Sequence, residues 1–344
     1  MEGSKNTDVT KNNAKEAVDA ITITAGVQGL QMFEIETKKK NVSAAVKFLQ
    51  ECEDLSSQKS FEAFESITLA SIDESRRQVL GDYLAGLGYA ELYLTVIQWL
   101  RSYKSSDEGL KEPKFVAEMM GGYWNFSDGS SMLCQRFGKS GVTAVLIEQL
   151  TDVEEAKIAV KQLKETRIRH HLFAKLGILH NCIRLCSDNR PVYRKANAVS
   201  ILTNFVQAQN VAVYVKTICL LILAYIVDET ESEKLASSGA VGCLSFLINL
   251  LRKALGSDKQ RYGGFSTCEL LEGIHHLSLN DTNKVKAVAS GCLSLMTLMM
   301  RPGYSEDGQL LAARCVWRLA FAPSNKIVIQ EDTRLLKGKA HNIH

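Results

Sequence analysis

The sequence predicts an all-α fold of stacked helical repeats, and three observations carry that reading. A helix end, a polar turn and a new helix start recur along the chain. Gly273-Ile274-His275-His276-Leu277-Ser278-Leu279-Asn280-Asp281-Thr282-Asn283-Lys284 is matched most closely by Cys315-Val316-Trp317-Arg318-Leu319-Ala320-Phe321-Ala322-Pro323-Ser324-Asn325-Lys326. Looser copies run from Gly122 through Trp124 and Asp128 to Gly141, and from Leu223 through Asp228 to Gly239. The second observation is a glycine followed at once by a short apolar stripe, at Gly88, Gly141, Gly177, Gly239 and Gly291. The third is size and composition: 344 residues are too many for one ordinary core, and 46% hydrophobic residues with only 4 prolines and few alternating runs speak against an all-β chain.

Taken in order, residues 1–25 are rich in Lys, Asn, Thr and Glu, have little to bury, and read as a frayed lead-in. The helical-repeat domain is expected over 26–330. Apolar residues fall at helical spacing at Val46, Leu49 and Cys52, then Phe61, Phe64 and Ile67, then Leu84, Leu87, Leu92, Val96 and Leu100. Each glycine elbow lets one helix end in a left-handed cap and the next leave at a sharp angle. Longer apolar helices are expected over Phe115–Phe126, Val153–Phe173, Val192–Val206, Val211–Val227, Leu270–Leu279 and Leu310–Phe321, with short polar helices at Glu229–Ser237 and Asn283–Ala289. Only the step from Gly141 to Gly177 approaches the roughly 40 residues of such a repeat, so inserted loops are expected near Ser102–Glu112, Gly256–Gly264 and Arg301–Gly308. Residues 331–344 read as a tail.

This order of short helix, glycine elbow, apolar helix and long inner helix resembles the armadillo-repeat family over about residues 80–330, most closely over 265–330. The resemblance implies a right-handed α-solenoid of armadillo- or HEAT-like repeats, whose long third helices line a groove. In that family an exposed Trp, with an Asn four residues later, holds an extended peptide. Carried onto this chain, the Trp positions are Trp124 and Trp317 with His275 between them, and the Asn positions are Asp128, Leu279 and Phe321. None is asparagine, so the ladder that grips basic import peptides is broken here. One turn earlier stand Gly121, Glu272 and Arg314. The candidate partner-binding groove is therefore Trp124, Asp128, Glu272, His275, Arg314 and Trp317, with aromatic flanks and mixed charge.

No residue set announces chemistry. Phe137-Gly138-Lys139-Ser140-Gly141 contains the Gly-Lys-Ser of a phosphate loop, but Leu133 stands where that loop requires glycine. His170, His171, His180, Cys182 and Cys186 are the densest set of metal-ligand types, yet no second ligand pair follows at a recognisable spacing. Gly-x-Ser-x-Gly and His-Glu-x-x-His are both missing from the sequence. The expectation is a non-enzymatic protein with no cofactor and no metal.

A net charge of +3 does not by itself suggest a nucleic-acid surface, and Lys38-Lys39-Lys40 after Glu34 and Glu36 reads as a solvated helix face, with a weak nuclear-import or anionic-lipid patch as the alternative. Nine cysteines, odd in number and mostly within apolar runs, read as reduced core thiols. The first 20 residues lack the apolar stretch of a secretory signal, and the apolar run from Thr217 to Val227 is too short to span a bilayer, so a cytoplasmic protein is expected, with the nucleus as second compartment. The functional expectation is a scaffold or adaptor that binds a protein or peptide segment in its groove. The alternative is a regulatory armadillo fragment, autoinhibitory or oligomerising, of a signalling protein such as those with TIR domains.

Overall fold

The computed structural model describes residues 32–106, 113–151, 166–208, 211–237 and 242–331. The chain divides into two compact units, Met1–Leu133 and Cys134–His344. The first opens with α1 (32–51), followed by α2 (Gln58–Ala70), α3 (Arg77–Gly86), α4 (Tyr89–Ser106) and α5 (Phe115–Gly129). Helix α2 packs along α5, and α3 packs on both α4 and α5. Aromatic side chains fill this core. Phe64 stacks on Phe115 at 5.0 Å between ring centres, Tyr89 stacks on Tyr123 at 4.2 Å, and Tyr93 meets Tyr123 edge-on at 5.0 Å. The Tyr123 hydroxyl donates to the Tyr89 carbonyl at 2.7 Å, so at least this ring is fixed by a polar contact as well as by packing.

The boundary between the units falls within α6 (Ser131–Ser140). The second unit continues with α7 (Val142–Leu150), α8 (Thr166–Leu185), α9 (Arg190–Lys195), α10 (Ala198–Gln207), α11 (Val213–Ile226), α12 (Glu229–Ser237) and α13 (Cys243–Leu255). A hairpin of β1 (Arg261–Tyr262) and β2 (Phe265–Ser266) leads into α14 (Thr267–Leu277), α15 (Asp281–Ala289), α16 (Cys292–Met299), α17 (Glu306–Leu319) and α18 (Pro323–Glu331). The helices sort into a three-part repeat: a short first helix (α9, α12, α15, α18), a second (α10, α13, α16) and a third (α11, α14, α17). Like packs on like between neighbouring repeats. Third helices stack as α8, α11, α14 and α17, second helices α13 and α16 touch, and first helices stack as α12, α15 and α18. Helix α11 lies between α8, α10 and α14, which is why ten of its residues, from Val215 to Ile226, are buried on nearly every side of the helix.

The turn between first and second helix carries the same backbone signature wherever both helices are described. The residue before the second helix has positive φ: Gly88 at 78°, Gly141 at 94°, Asn197 at 60°, Gly242 at 75° and Gly291 at 80°. Three of the predicted elbows are therefore in place, and one reading is corrected. Gly177 is buried inside the 20-residue α8, and the elbow of that repeat is Asn197, whose short polar side chain tolerates the left-handed region. Gly239 lies outside the described residues, and the positive φ falls on Gly242. The same elbow at Asn197 splits the helix predicted over Val192–Val206 into α9 and α10. The third helices α2, α14 and α17 start at serine caps. Ser57, Ser266 and Ser305 accept from the backbone N–H three residues on, and Ser266 with Glu269 completes a capping box.

Of the predicted loops, Gly256–Gly264 carries the hairpin, closed by Gly263 and Gly264 with φ of 61° and 96°, the double positive φ that a two-residue turn of type I′ requires. The stretch 102–106 is the end of α4, and 107–112 lies outside the described residues. The lead-in 1–25, residues 332–344 of the tail and the first part of the predicted Val153–Phe173 helix also lie outside them. Glu331 closes α18.

Repeat junctions are sealed by polar side chains reaching backbone carbonyls, most of them at the ends of the third helices. The Asn283 amide nitrogen donates to the Leu277 carbonyl at 2.8 Å and to the Ser232 carbonyl at 3.1 Å, and Ser232 Oγ donates to Leu277 O at 2.8 Å. Asn325 repeats the contact on Leu319 O at 3.1 Å. Asn189 donates to the carbonyls of Cys182 and Cys134 at 3.0 and 2.9 Å. At the α11 end, Arg190 reaches Val227 O at 2.9 Å and Arg194 reaches Ile226 O at 2.8 Å, with Arg194 also paired to Glu231.

Candidate functional site

The six candidate groove residues divide between the units. In the first, Trp124 and Asp128 lie on α5, a third helix. Trp124 is half-buried, and Asp128 is exposed with its Oδ2 3.3 Å from Arg77 Nη1. Asn125 beside them turns inward and donates to Ser71 Oγ at 3.0 Å.

In the second unit, Glu272 and His275 lie on α14, and Arg314 and Trp317 on the neighbouring third helix α17. Tyr225 on α11 donates its hydroxyl to Glu272 Oε2 at 2.8 Å, so three successive third helices contribute to one surface. His275 is half-buried rather than displayed. Its Nδ1 lies 3.5 Å from Cys315 Sγ, and its carbonyl accepts from Arg318 Nη1 at 3.0 Å. Desolvation, then the nearby Arg318, His276 and Arg314 charges, holds its pKa down to about 4. It is a neutral imidazole at physiological pH, between two repeats.

Neighbouring His276 contributes more to the surface than the motif implied. Its ring sits 4.3 Å from Tyr225 and 5.5 Å from His275, and burial followed by Arg318 lowers its pKa to about 4. Tyr225, His276 and Arg318 thus lie against the candidate residues Glu272 and His275, and the sequence reading did not include them. Their only signal was position on third helices next to the recurring motif, because the contacts that bring them together cross between repeats.

On α17 the arrangement is open. Leu310, Arg314 and Trp317 share one face of α17, spaced by four and three residues, and Phe321 stands four residues further on, just past the helix end. Trp317 is 67% exposed, Phe321 59% and Leu310 50%, and the Arg314 side chain is exposed between them. The Trp317 and Phe321 rings meet edge-on at 4.7 Å, which fixes each against the other. Two of the positions where the family carries asparagine fall past the helix ends: Leu279 follows α14 and Phe321 follows α17. The broken ladder is a matter of backbone as well as side chain.

No group of three or more His, Cys, Asp or Glu among the described residues could hold a metal ion. Cys182 is buried and its thiol is pushed well up by desolvation, away from the thiolate a metal needs. The Gly-Lys-Ser stretch ends α6 and the following Gly141 is the repeat elbow, with no strand before it. No described helix is long and apolar enough to cross a membrane.

No family model matches the chain, and no curated protein matches it. Among solved structures, a designed armadillo repeat protein superposes with a TM-score of 0.50 at 14% identity, covering 81% of this chain and 99% of that one. An engineered protein superposes with a TM-score of 0.50 at 14% identity over 87% of this chain and 61% of its own length. At such identity the likeness speaks for fold alone, and it agrees with the repeat of short first helix, positive-φ elbow, second helix and stacked third helix. The chain has an armadillo-like α-solenoid fold.

Proposed function

We propose that this protein is a non-enzymatic scaffold that binds a segment of a partner protein along the exposed face of its third helices. The observation that carries this reading is the open stripe of Leu310, Arg314 and Trp317 on α17, continued by Phe321 just past its end. A folded protein gains by covering a large aromatic pair, and Trp and Arg are the side chains that most often dominate interfaces. An exposed guanidinium amid apolar rings suits a partner segment with apolar residues beside a carboxylate. Glu272, held by Tyr225, and half-buried His275 border the stripe on α14 and supply its polar rim. Trp124 and Asp128 are a second candidate contact, on the first unit, with Asp128 already partnered by Arg77.

The test is affinity capture from native extract with the wild type beside a Trp317→Ala/Arg314→Glu variant that melts at the same temperature. Partners lost selectively from the variant are the expected result. An unchanged partner set would place the interface elsewhere.

A second reading, an oligomerising armadillo unit, is favoured by one observation. On α18 the apolar side chains Ile327 and Val328 are 59% and 46% exposed. That is the kind of face another repeat or another copy covers. Sedimentation over a range of concentrations separates the two readings, because only the second expects self-association that Ile327→Glu abolishes.

A further inference from the structure

We propose that the first unit carries a cleft that takes a multiply phosphorylated, inositol-type headgroup presented on a membrane surface. The cleft measures about 470 Å³ and lies between α1 and α3, lined by Glu36, Lys39, Lys40, Ser43, Ala44 and Lys47 of α1 and by Tyr83 of α3. Its origin is legible in α1. Val42, Val46 and Leu49 face the core, which leaves Glu36, Lys40, Ser43 and Lys47 along the opposite face at helical spacing. The two small residues Ser43 and Ala44 make a dip in the middle, and Lys40 and Lys47 stand on either side of it. Seven residues of helix separate these two lysines, about 10 Å along the axis. That is room for two anionic groups on one scaffold rather than for a single ion.

The charge balance decides what enters. Glu36, the one described carboxylate lining the cleft, is matched by Lys39, whose Nζ lies 2.7 Å from Glu36 Oε1 and 5.7 Å from the centre of the Tyr83 ring. Lys38 lies 4.0 Å from Asp73. Lys40 and Lys47 have no carboxylate in ion-pair reach among the described residues. Two ammoniums that pair with no described carboxylate, with the Ser43 hydroxyl and the Tyr83 phenol beside them, supply donors to a polyanion and little to a neutral ligand. The volume falls within the range of small-ligand clefts and far exceeds an isolated phosphate.

The source of the phosphates follows from Phe33. It stands seven residues before Lys40 on the same face of α1 and is 72% exposed, and Met32 next to it is 69% exposed. Large apolar side chains at the end of a lysine-bearing helix face are the arrangement that enters the boundary between headgroups and acyl chains, while the lysines hold the anionic lipid. A soluble phosphate would leave these two side chains in water.

The test is co-sedimentation of the full chain with phosphatidylcholine vesicles doped with phosphatidylinositol bisphosphate. Controls are pure phosphatidylcholine vesicles, vesicles matched in charge with phosphatidylserine, and soluble inositol hexakisphosphate measured by calorimetry. Binding to the doped vesicles is expected to exceed that to both controls, and Lys40→Ala/Lys47→Ala is expected to weaken it by about 30-fold. Phe33→Ser should weaken vesicle binding but leave inositol hexakisphosphate binding unchanged. All three side chains are exposed or lie on the open face, and matched melting curves check that the variants fold. The proposal is overturned by no preference for the doped vesicles over the charge-matched ones, by a lysine double variant that binds like wild type, or by binding of the soluble polyphosphate alone.

Discussion

At the scale of single residues, the junction asparagines and the paired histidines carry the clearest consequences. Asn283 is buried and its amide holds the last carbonyl of α14 together with Ser232 of the preceding repeat. Asn283→Ala should lower unfolding free energy by about 1–3 kcal/mol, read by urea denaturation, because a buried carbonyl loses one of its donors. His180, His275 and His276 have folded pKa values of about 3, 4 and 4 against 6.5 unfolded, chiefly through burial and, beyond it, through Arg184 beside His180 and Arg318 beside the other two. The unfolded chain therefore takes up these protons first. The stability they protect is complete above pH 6.5 and is lost as pH falls toward 4. Urea midpoints at pH 7 and pH 5 should differ in that direction, and His276→Gln should narrow the difference. The sequence made Trp317 and Arg314 legible, since a tryptophan and an arginine interrupt an otherwise apolar repeat motif. It could not show that His275 turns toward Cys315 or that His276 stacks on Tyr225, because those contacts join residues about 40 and 50 positions apart in sequence.

At the scale of elements, the elbow decides where one helix stops and the next starts. Gly88, Gly141 and Gly291 were readable because glycine is the residue that reaches positive φ without penalty. Asn197 was not, because asparagine serves caps, turns and surfaces alike, and the apolar pattern runs across it from Val192 to Val206. Asn197→Val should cost about 1–2 kcal/mol by forcing a β-branched residue to a φ of 60°, whereas Asn197→Gly should retain stability. Denaturation curves of the two variants side by side check this. Equal loss in both would mean that the Asn197 side chain, rather than the backbone turn, holds the junction. The third helices show the complementary rule. A Cβ on Gly273 of α14 would lie 2.5 Å from Leu221 Cδ2 of α11, so this glycine permits close stacking and has no bearing on a turn. Sequence spacing alone does not separate the two uses, which is also why the buried, mid-helix Gly177 resembled an elbow.

At the scale of the whole molecule, the repeat was written plainly enough to fix the fold class, since each copy must reproduce the same junction to stack on its neighbour. What binds it was not written, because binding depends on which side chains stacking leaves open. The balanced charge of +3 fits a surface divided into local features, among them the lysine-lined cleft on α1 and the aromatic stripe on α17, rather than one dominated by a single sign. The central claim, that partners lie along the third helices, is tested most directly by photo-crosslinking from position 317 in native extract, with the crosslinker at exposed Glu233 on the first helix α12 as comparison. The account predicts a discrete crosslinked partner from position 317 and none from position 233. A partner captured from position 233 and not from position 317 would contradict it.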